Sequence, residues 1–266
     1  MNYSACVASF GAVLPSGILS PEGLIIWKAG QGVLDVSRDQ ILDKPYPGFG
    51  KLAMADRMAF AASSVALRGQ EGFTGETCGI SLGIPFGSLS TDFRYMESVA
   101  NGFPSPALFS ATLPSSPLAD IAIFHTIKGP CRVLCNAAGA GIGALEQGLS
   151  LLHCKKAASV LVVLLQVLDP ADAACPLIAD TAPRETRAYA FLLCSQPSQH
   201  GDLRTLNASF ESINIAESGK PEEVYFDEFL GLLSRHQSGS IPFNAAGYSG
   251  IITIEKDRSW NSSSKH

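Results

Sequence analysis

The sequence predicts an α/β fold in which helices cover a sheet. Residues 131–166 contain a short apolar strand (CRVLC), a glycine-rich turn, a helix and a second apolar strand, joined by short connections. Strands that alternate with helices in this way favour a parallel sheet with helices on its faces. The composition excludes a disordered chain, since 46% of the residues are hydrophobic and only 16% are charged, against about 25% charged in an average soluble domain.

The composition also limits the possible partners. With 266 residues the chain can build one large domain or two modest ones, and so few charges predict that another subunit buries part of its surface. The net charge is −5 and the longest basic run is Lys155 and Lys156, so neither nucleic acid nor an anionic membrane surface is an expected partner.

The apolar stretches and the cysteines predict a cytoplasmic protein. The longest apolar uncharged stretch, 157–168, has 12 residues where a bilayer span needs about 20, so we expect a buried strand and no membrane insertion. The N-terminus lacks the basic region of a secretory signal. Seven scattered cysteines show neither CxxC nor CxxH spacing, so we expect reduced thiols, no metal site and no cofactor.

In the first hundred residues, an apolar run at 3–10 ends at Gly11, and a segment punctuated by Gly and Pro extends to about residue 50. A helix that Gly69 ends is predicted in 51–69, and residues 77–83 predict a strand. The first helix is predicted by apolar or small residues at spacings of three and four, namely Ala55, Met58, Ala62 and Val65. A second helix is predicted by the same spacing at Leu89, Phe93, Met96 and Ala100.

The following segment, 102–117, is rich in Pro and Ser and predicts a long ordered loop. Ser116 as N-cap and Pro117 as first residue predict a helix over 118–128, which Gly129 ends. The strand 131–135, the turn 136–143, a helix over 144–153 and a strand over 159–166 follow in order.

The last third contains four predicted elements. Residues 188–195 and 203–212 predict two adjacent strands joined as a hairpin at the sheet edge. Residues 221–235 predict a helix that begins at Pro221, and 250–256 predict a closing strand. The polar residues 257–266 are expected to fray.

The glycine-rich turn has two interpretations. Gly139, Gly141 and Ala144 match the G-x-G-x-x-G/A spacing with which a strand-to-helix turn binds a dinucleotide. However, the turn lies in mid-chain, and Asp169 lies well beyond the offset of about 20 residues expected for a ribose ligand. We favour the other interpretation, a sharp elbow that needs small residues because a neighbour approaches closely.

The elbow carries a resemblance to a known family. Residues 129–141 (GPCRVLCNAAGAG) resemble the nucleophile elbow of β-ketoacyl synthases in the thiolase superfamily, GP-x-x-x-x-x-T-A-C-A-S-G. The segments 51–67, 78–89, 102–117 with 119–130, and 187–212 resemble the same family in the same order. The resemblance implies a thiolase-like layered α/β fold with a complete N-terminal half at 1–212.

This chain departs from the family at the nucleophile. Asn136 takes the Thr position and Ala138 takes the position of the nucleophilic cysteine. A methyl group can neither attack a thioester nor carry an acyl chain, so no catalytic residue is predicted. Cys135 is expected to be a small buried hydrophobe rather than a displaced nucleophile, since strand residues an odd number apart face opposite ways.

The catalytic histidines of the family are also missing. Active ketosynthases draw two histidines from HGT-like and GH-x-x-x-A-like motifs in their second half, and no histidine of this chain has such neighbours: His125, His153, His200, His236 and His266. His125 and His153 are predicted on first-half helices as surface or core residues. Groups that act as a unit in catalysis cannot be lost without a collapse of turnover, so condensation by this chain alone is not expected.

The second half is condensed in this chain. Residues 242–256 resemble the family's terminal NSFGFGGTN-x-x-L-x-F segment, in which Asn244, Gly247 and Gly250 match and Tyr248 replaces an aromatic residue of the oxyanion loop. We therefore expect a condensed C-terminal remnant at 213–256 that packs on the first half, followed by the polar tail.

The resemblance implies a chain length factor, a ketosynthase-like subunit without the cysteine. Such subunits pair with an active ketosynthase through their first-half sheets, meet the acyl carrier protein through that complex, and limit product length at the end of a dry tunnel. Polyene, polyketide and fatty-acid-type elongation all fit, and the truncated chain especially resembles the small partner in aryl polyene ketosynthase pairs.

Six residues are predicted to line the tunnel or the vestigial pocket: Phe109, Leu113, Ser116, Phe124, Asn136 and Ala138. Ordinary core packing is the alternative for each aromatic residue. Two other functions stay open, a nucleotide-binding oxidoreductase that uses the turn at Gly139–Gly143 and a homodimeric scaffold that docks an acyl carrier protein.

Overall fold

The structure, a computed structural model, describes most of the chain. The described residues are 1–28, 36–42, 45–70, 73–136, 139–167, 185–195, 204–212, 222–245 and 248–256. The predicted hairpin turn with His200, and the polar tail with His266, lie outside them.

The described residues form ten strands and seven α-helices. The strands are β1 (Asn2–Leu14), β2 (Gly17–Ser20), β3 (Gly23–Ile26), β4 (Cys78–Gly83), β5 (Cys131–Leu134), β6 (Ser159–Gln166), β7 (Arg187–Cys194), β8 (Arg204–Ser212), β9 (Gly239–Ala245) and β10 (Tyr248–Lys256). The helices are α1 (Arg38–Ile41), α2 (Met54–Leu67), α3 (Leu89–Ala100), α4 (Pro106–Ser110), α5 (Ser116–His125), α6 (Ala140–His153) and α7 (Glu222–Ser234).

All ten strands belong to one mixed sheet. Eight follow one another in the order β5-β4-β6-β7-β1-β8-β10-β9, and β2 pairs with β1 and β3. Two of the described pairs, β4 with β5 and β4 with β6, are parallel, and the other pairs are antiparallel. The predicted parallel sheet is therefore correct for the strand–helix–strand units around the elbow and wrong for the rest.

The predicted adjacency of the strands at 188–195 and 203–212 is wrong. These residues form β7 and β8, but β1 lies between them and pairs with both, with Cys6 opposite Cys194 on one side and Thr205 on the other. β1 has 13 residues, most of them buried, so it satisfies its backbone and its apolar side chains best inside the sheet. Long-range pairing of this kind overrides the proximity of two strands in sequence.

The sheet has helices on both faces, as predicted. One core contains the inward residues of α6 and α7 together with Tyr189, Phe191 and Leu193 of β7. The other core contains those of α2 and α5 together with the alternate residues Ala188, Ala190 and Leu192. Alternate residues of a strand face opposite ways, so one strand serves both cores.

Several predicted boundaries shift. The segment 102–117 is not entirely loop, because it contains α4, which Ser105 caps through its hydroxyl. The N-cap of α5 is Ser115 rather than Ser116. The same helix ends at Thr126, in the left-handed region, rather than at Gly129. α6 begins at Ala140, inside the predicted turn.

The C-terminal elements extend the sheet and cover it. β10 pairs with β8 on one side and with β9 on the other. α7 packs five apolar residues into the core that it shares with α6: Tyr225, Phe226, Phe229, Leu230 and Leu233. No helix in the described ranges is long and apolar enough to span a membrane.

Candidate functional site

The elbow connects the end of β5 to the start of α6. The carbonyl of Asn136 accepts hydrogen bonds from the backbone N–H groups of Gly139 at 3.3 Å and Ala140 at 3.2 Å. These bonds close a tight turn from which α6 continues with a buried first turn. Ala137 and Ala138, the latter at the predicted nucleophile position, lie outside the described residues.

The glycines of the elbow and of α6 allow the helix to approach the sheet closely. A Cβ at Gly143 would lie 2.9 Å from Leu134 Cδ2, and one at Gly148 would lie 2.6 Å from Val162 Cγ2. On the strand side, a Cβ at Gly83 would lie 2.3 Å from the carbonyl oxygen of Ala140. The close neighbours of Gly83, Gly143 and Gly148 are therefore other parts of this chain, and helix–sheet packing accounts for these three small residues.

Cys135 follows β5 directly and is exposed. The expectation of a buried cysteine is therefore wrong, because β5 lies at the sheet edge, where a side chain at the end of the strand can face solvent. Partial desolvation raises the pKa of the Cys135 thiol, which keeps it protonated at neutral pH. A raised pKa does not favour a nucleophilic thiolate.

Two loops converge next to the elbow. Gly87, at φ +62°, brings the loop before α3 so close that a Cβ there would lie 3.1 Å from Pro114 and 3.7 Å from the Cys135 sulfur. The Ser88 hydroxyl hydrogen-bonds the carbonyl of Thr112. The segment around Leu113 is thus held against the end of β5.

Phe109 and Leu113, two of the predicted tunnel residues, are on the surface of the chain. Their side chains are 61% and 62% exposed, and Phe109 contacts Tyr95 of α3 with ring centroids 5.4 Å apart. They belong to a larger apolar surface, here named the α3–α4 surface, with six members: Phe93, Met96, Val99, Phe103, Phe109 and Leu113. An exposed apolar cluster of this size typically marks an interaction site.

Ser116 and Phe124, the other two predicted residues of this region, lie on α5 and contact α2. The Ser116 side chain hydrogen-bonds Asp56 of α2. The Phe124 ring lies 4.9 Å from the ring of Phe60 and 5.2 Å from that of Tyr46. These contacts favour a structural role in joining α5 to α2.

A buried carboxyl lies at the same helix–helix contact. Burial and the neighbouring Asp120 carboxylate raise the pKa of Asp56 from 3.8 to about 7. Burial also raises the pKa of Asp120, whose carboxylate accepts a hydrogen bond from Tyr46 at 3.4 Å. This pair was not predicted from the sequence, although Asp56 in the first turn of a helix made mostly of small and apolar residues was a usable signal.

The histidines on the helices have structural partners. His125 Nε2 lies 3.1 Å from the Ser64 hydroxyl, and His153 packs edge-on against Tyr3 with centroids 5.8 Å apart. Both lie on helices as predicted, α5 and α6. Within the described residues no cluster of three His, Cys, Asp or Glu side chains could hold a metal ion.

The predicted oxyanion-loop remnant, Gly247 and Tyr248, follows β9 in sequence. Tyr248 begins β10 opposite Ala245, while Gly247 and the side chain of Tyr248 lie outside the described parts of the structure. The preceding residue of the resembling segment, Asn244, is held by Tyr225, whose hydroxyl donates to the Asn244 carbonyl at 3.2 Å and accepts from its N–H at 3.3 Å.

A surface cleft of about 380 Å³ lies away from the elbow, between the β1–β2 turn and α7. Its polar residues are already paired, since Arg187 binds Asp227 and Glu185, and Tyr189 donates to Asp227 at 2.7 Å. The cleft therefore offers little unsatisfied polarity to a ligand.

No family model matches the chain, and no curated protein matches its sequence. Solved structures do match. One is a ketosynthase in complex with its chain length factor from Xenorhabdus doucetiae, at 16% identity and a TM-score of 0.64, covering 94% of this chain and 99% of that one. The ishigamide ketosynthase/chain length factor matches at 13% identity and a TM-score of 0.68, covering 96% and 99%.

A third structure is of a type II polyketide synthase acyl-carrier protein in complex with its ketosynthase bound to the hexaketide. It matches at 12% identity and a TM-score of 0.68, covering 97% of this chain and all of that one. The chain thus has the thiolase-like α/β fold of ketosynthases and chain length factors. The predicted resemblance is confirmed at the level of the fold.

Proposed function

We propose that this chain is a non-catalytic chain-length-factor subunit that pairs with an active β-ketoacyl synthase and shapes the tunnel for its growing acyl chain. The observation that carries the proposal is Ala138 at the nucleophile position of an elbow that otherwise resembles that of a ketosynthase. Without a thiol at that position the elbow cannot hold an acyl group, so the chemistry belongs to a partner. The fold shared with ketosynthase/chain length factor structures supports this role.

The edge strand β5 and the α3–α4 surface are the proposed partner surface. β5 is the terminal strand of the sheet order, and Cys131 and Arg132 on it are exposed. An edge strand can pair with a strand of another chain, which would satisfy its unpaired backbone groups. A partner placed along β5 would also cover apolar side chains of the α3–α4 surface, because Gly87 connects that region to the end of β5.

Phe109, Leu113, Asn136 and Ala138 are the proposed tunnel residues, and Gly247 and Tyr248 are the proposed remnant of the oxyanion loop. Asn136 is exposed and Leu113 is held close to the same end of β5, so a partner would enclose them together. Residues 1–212 are the proposed ketosynthase-like half and 213–256 the condensed remnant. The proposed products are polyenes, polyketides or fatty-acid-type chains made in the cytoplasm, with an aryl polyene as the first choice.

The proposal is tested by purifying complexes of the affinity-tagged chain from its native cells. We expect an intact ketosynthase in a 1:1 ratio, identified by mass spectrometry. The purified chain alone should neither become acylated by a thioester donor nor release a β-keto product. Self-association without a ketosynthase would instead support the homodimeric scaffold, and acylation of the lone chain would contradict the proposal.

Leu113→Trp tests the tunnel. The larger side chain should shorten the products of the reconstituted complex, because it fills space at the enclosed end of the tunnel. Ile26→Trp is the matched control, since Ile26 is exposed on β3, away from the elbow in the sheet. Unchanged product length in an intact Leu113→Trp complex would remove Leu113 from the tunnel.

NADH titration separates this proposal from the oxidoreductase alternative. We expect no saturable change in tryptophan or cofactor fluorescence, because Asp169 lies well beyond the offset of about 20 residues expected for a ribose ligand. Saturable binding that Gly141→Ala abolishes would favour the nucleotide-binding function.

A further inference from the structure

Cys6 and Cys194 lie directly opposite each other on the antiparallel strands β1 and β7. Opposite residues on such strands place their side chains on one face, with Cα atoms about 4.5 or 5.5 Å apart. A disulfide bond requires a Cα separation of roughly 4.4–6.8 Å. The register therefore meets the geometric requirement for a disulfide bond without a movement of the backbone.

The two side chains also contact each other. The Cys194 sulfur lies 3.6 Å from the carbonyl oxygen of Cys6, and its thiol interacts with the Cys6 thiol. Neither sulfur is in a disulfide bond in the structure. We propose that Cys6 and Cys194 are a redox-active pair that a low-molecular-weight disulfide, such as oxidised glutathione, converts into a cross-strand disulfide bond.

The reaction begins at the more accessible sulfur. Cys194 is half-buried and is the last residue of β7, followed by the exposed Ser195, whereas Cys6 is buried. The Cys194 thiolate attacks one sulfur of oxidised glutathione, whose S–S bond breaks and releases a glutathione thiolate. The Cys6 thiolate then attacks the Cys194 sulfur and releases the second glutathione. The two protein thiols are oxidised, and one glutathione disulfide is reduced to two thiols.

The rate of this exchange should depend strongly on pH. The contact with Cys6 and burial raise the pKa of Cys194, so few thiolates are present at neutral pH. Exchange requires the thiolate, and it is therefore expected to be slow near pH 7 and to accelerate as the pH rises.

The bond would join residues 188 positions apart in sequence. A cross-link between distant residues stabilises a fold mainly by restricting the unfolded chain. The expected consequence is a rise in melting temperature of roughly 5–15 °C for the oxidised chain.

Cys78 and Cys131 provide an internal control. Cys131 lies opposite Ile80 on the neighbouring strand, two residues along from Cys78. Such a diagonal pair has Cα atoms about 8 Å apart, which is beyond the reach of a disulfide bond. These two cysteines should not cross-link while the sheet is intact.

The test is peptide mapping of the purified full-length chain after incubation with oxidised glutathione at about pH 8 and blocking of the remaining thiols. We expect a single cross-link between the peptides that contain Cys6 and Cys194, which a reductant removes, together with the rise in melting temperature. Cys154→Ser, at an exposed cysteine, should retain the cross-link. Cys6→Ser should stop at a glutathione adduct on Cys194.

Two results would overturn the proposal. In the first, Cys194 of the unsubstituted chain stays unmodified, or retains glutathione, after exposed thiols such as Cys131 have reacted. In the second, a Cys78–Cys131 cross-link forms with equal yield, which would mean that the disulfides arise in unfolded chains.

Discussion

The helices α2 and α3 have similar lengths and similar apolar periodicity, but only one of them is covered by the chain. α2 has 14 residues, of which 11 are buried against β1, β6, β7 and α5. α3 has 12 residues, and its one buried residue is Thr91, although Phe93, Met96 and Val99 follow at helical spacing on one side. The pattern of apolar residues thus predicts both helices equally well and does not reveal what covers them.

The difference indicates which part of the surface of this chain is suited to burial by a second subunit. Apolar residues that the chain does not cover lose the stabilisation of burial, about 25 cal/mol for each Å² that stays in water. The exposed apolar residues of α3 are part of the α3–α4 surface, whose member Leu113 lies near the end of the edge strand β5. We therefore interpret α2 as part of the core of one subunit and α3 as part of a core completed by two.

The largest expected effect is a difference in stability loss between two methionine-to-alanine substitutions, one on α2 and one on α3. Met58 of α2 is fully buried, and Met58→Ala should lower the free energy of unfolding by about 3 kcal/mol, since it leaves a cavity in a packed core. Met96 of α3 is 62% exposed, and Met96→Ala should change the isolated chain by less than about 0.5 kcal/mol. Urea unfolding followed by circular dichroism measures both, and equal losses would contradict the comparison.

The next effect concerns the buried carboxyl where α2 meets α5. Because the folded pKa of Asp56 is about 7 against 3.8 as its ordinary value, the folded state disfavours the ionised form. The unfolded chain releases the proton first, so wild-type stability falls as the pH rises from about 4 to 7. Asp56→Asn should therefore match the wild type near pH 4 and exceed it by roughly 2–4 kcal/mol near pH 8, where the upper value is the full worth of the pKa difference.

Urea midpoints over this pH range measure the effect of Asp56→Asn. Besides burial, the Asp120 carboxylate of α5 raises the pKa of Asp56, and a hydrogen bond with the Ser116 side chain lowers it. Asp120→Asn is the control, since it removes the neighbouring charge and should reduce the pH dependence without abolishing it. A difference that is independent of pH would show that Asp56 is not protonated in the fold.

The third effect tests the uncovered helix directly. Met96→Lys should weaken association with the ketosynthase partner at least tenfold, about 1.4 kcal/mol, because it places a charge in the buried centre of the proposed contact. Ile26→Lys is matched in exposure, at 72% against 62%, but lies on β3, at the other end of the first-half sheet. Binding titrations that reverse this order would move the partner surface from α3 to the β2–β3 hairpin.

Local sequence signals predicted most of the helices and strands, whereas the order of the strands in the sheet depends on long-range pairing that these signals do not reveal. The helices at 51–69 and 89–100 and the strand at 159–166 follow from periodicity and end signals, and all are present. β9 was missed because Pro242 interrupts its sequence, yet a proline is tolerated there because β9 is an edge strand. The position of β1 between β7 and β8 has no local signal at all.

In the candidate site, too, the local elements could be predicted from the sequence and the side-chain environments could not. The sequence predicted the strand-to-helix connection between β5 and α6. The position of Ala138 at the nucleophile site of the resembling family stays a prediction. The sequence did not predict that Cys135 is exposed or that the Ser116 hydroxyl faces Asp56, because both depend on which elements pack together in three dimensions. A resemblance supplies the order of the motifs, whereas side-chain environment comes only from packing.

The smallest expected effect concerns the C-terminal end of α5, the helix that packs against α2. Thr126 ends α5 at φ 56°, a left-handed conformation that a β-branched side chain disfavours. The position closes the helix, since Ile127 N–H donates to the Ala122 carbonyl at 2.9 Å, and glycine is the residue that such helix ends prefer. Thr126→Gly should therefore stabilise the isolated chain by about 0.5–1 kcal/mol.

Thr126→Ala is the control for this substitution, because it removes the hydroxyl and the branch but keeps the Cβ that causes the strain. Thr126→Ala should raise the free energy of unfolding by less than Thr126→Gly does in the same urea assay. If the two variants are equally stable, the strain comes from branching rather than from the left-handed backbone. In either case association with the partner should not change, because the substitution leaves α3 and β5 untouched, and a change in association would mean that α5 itself lies in the interface.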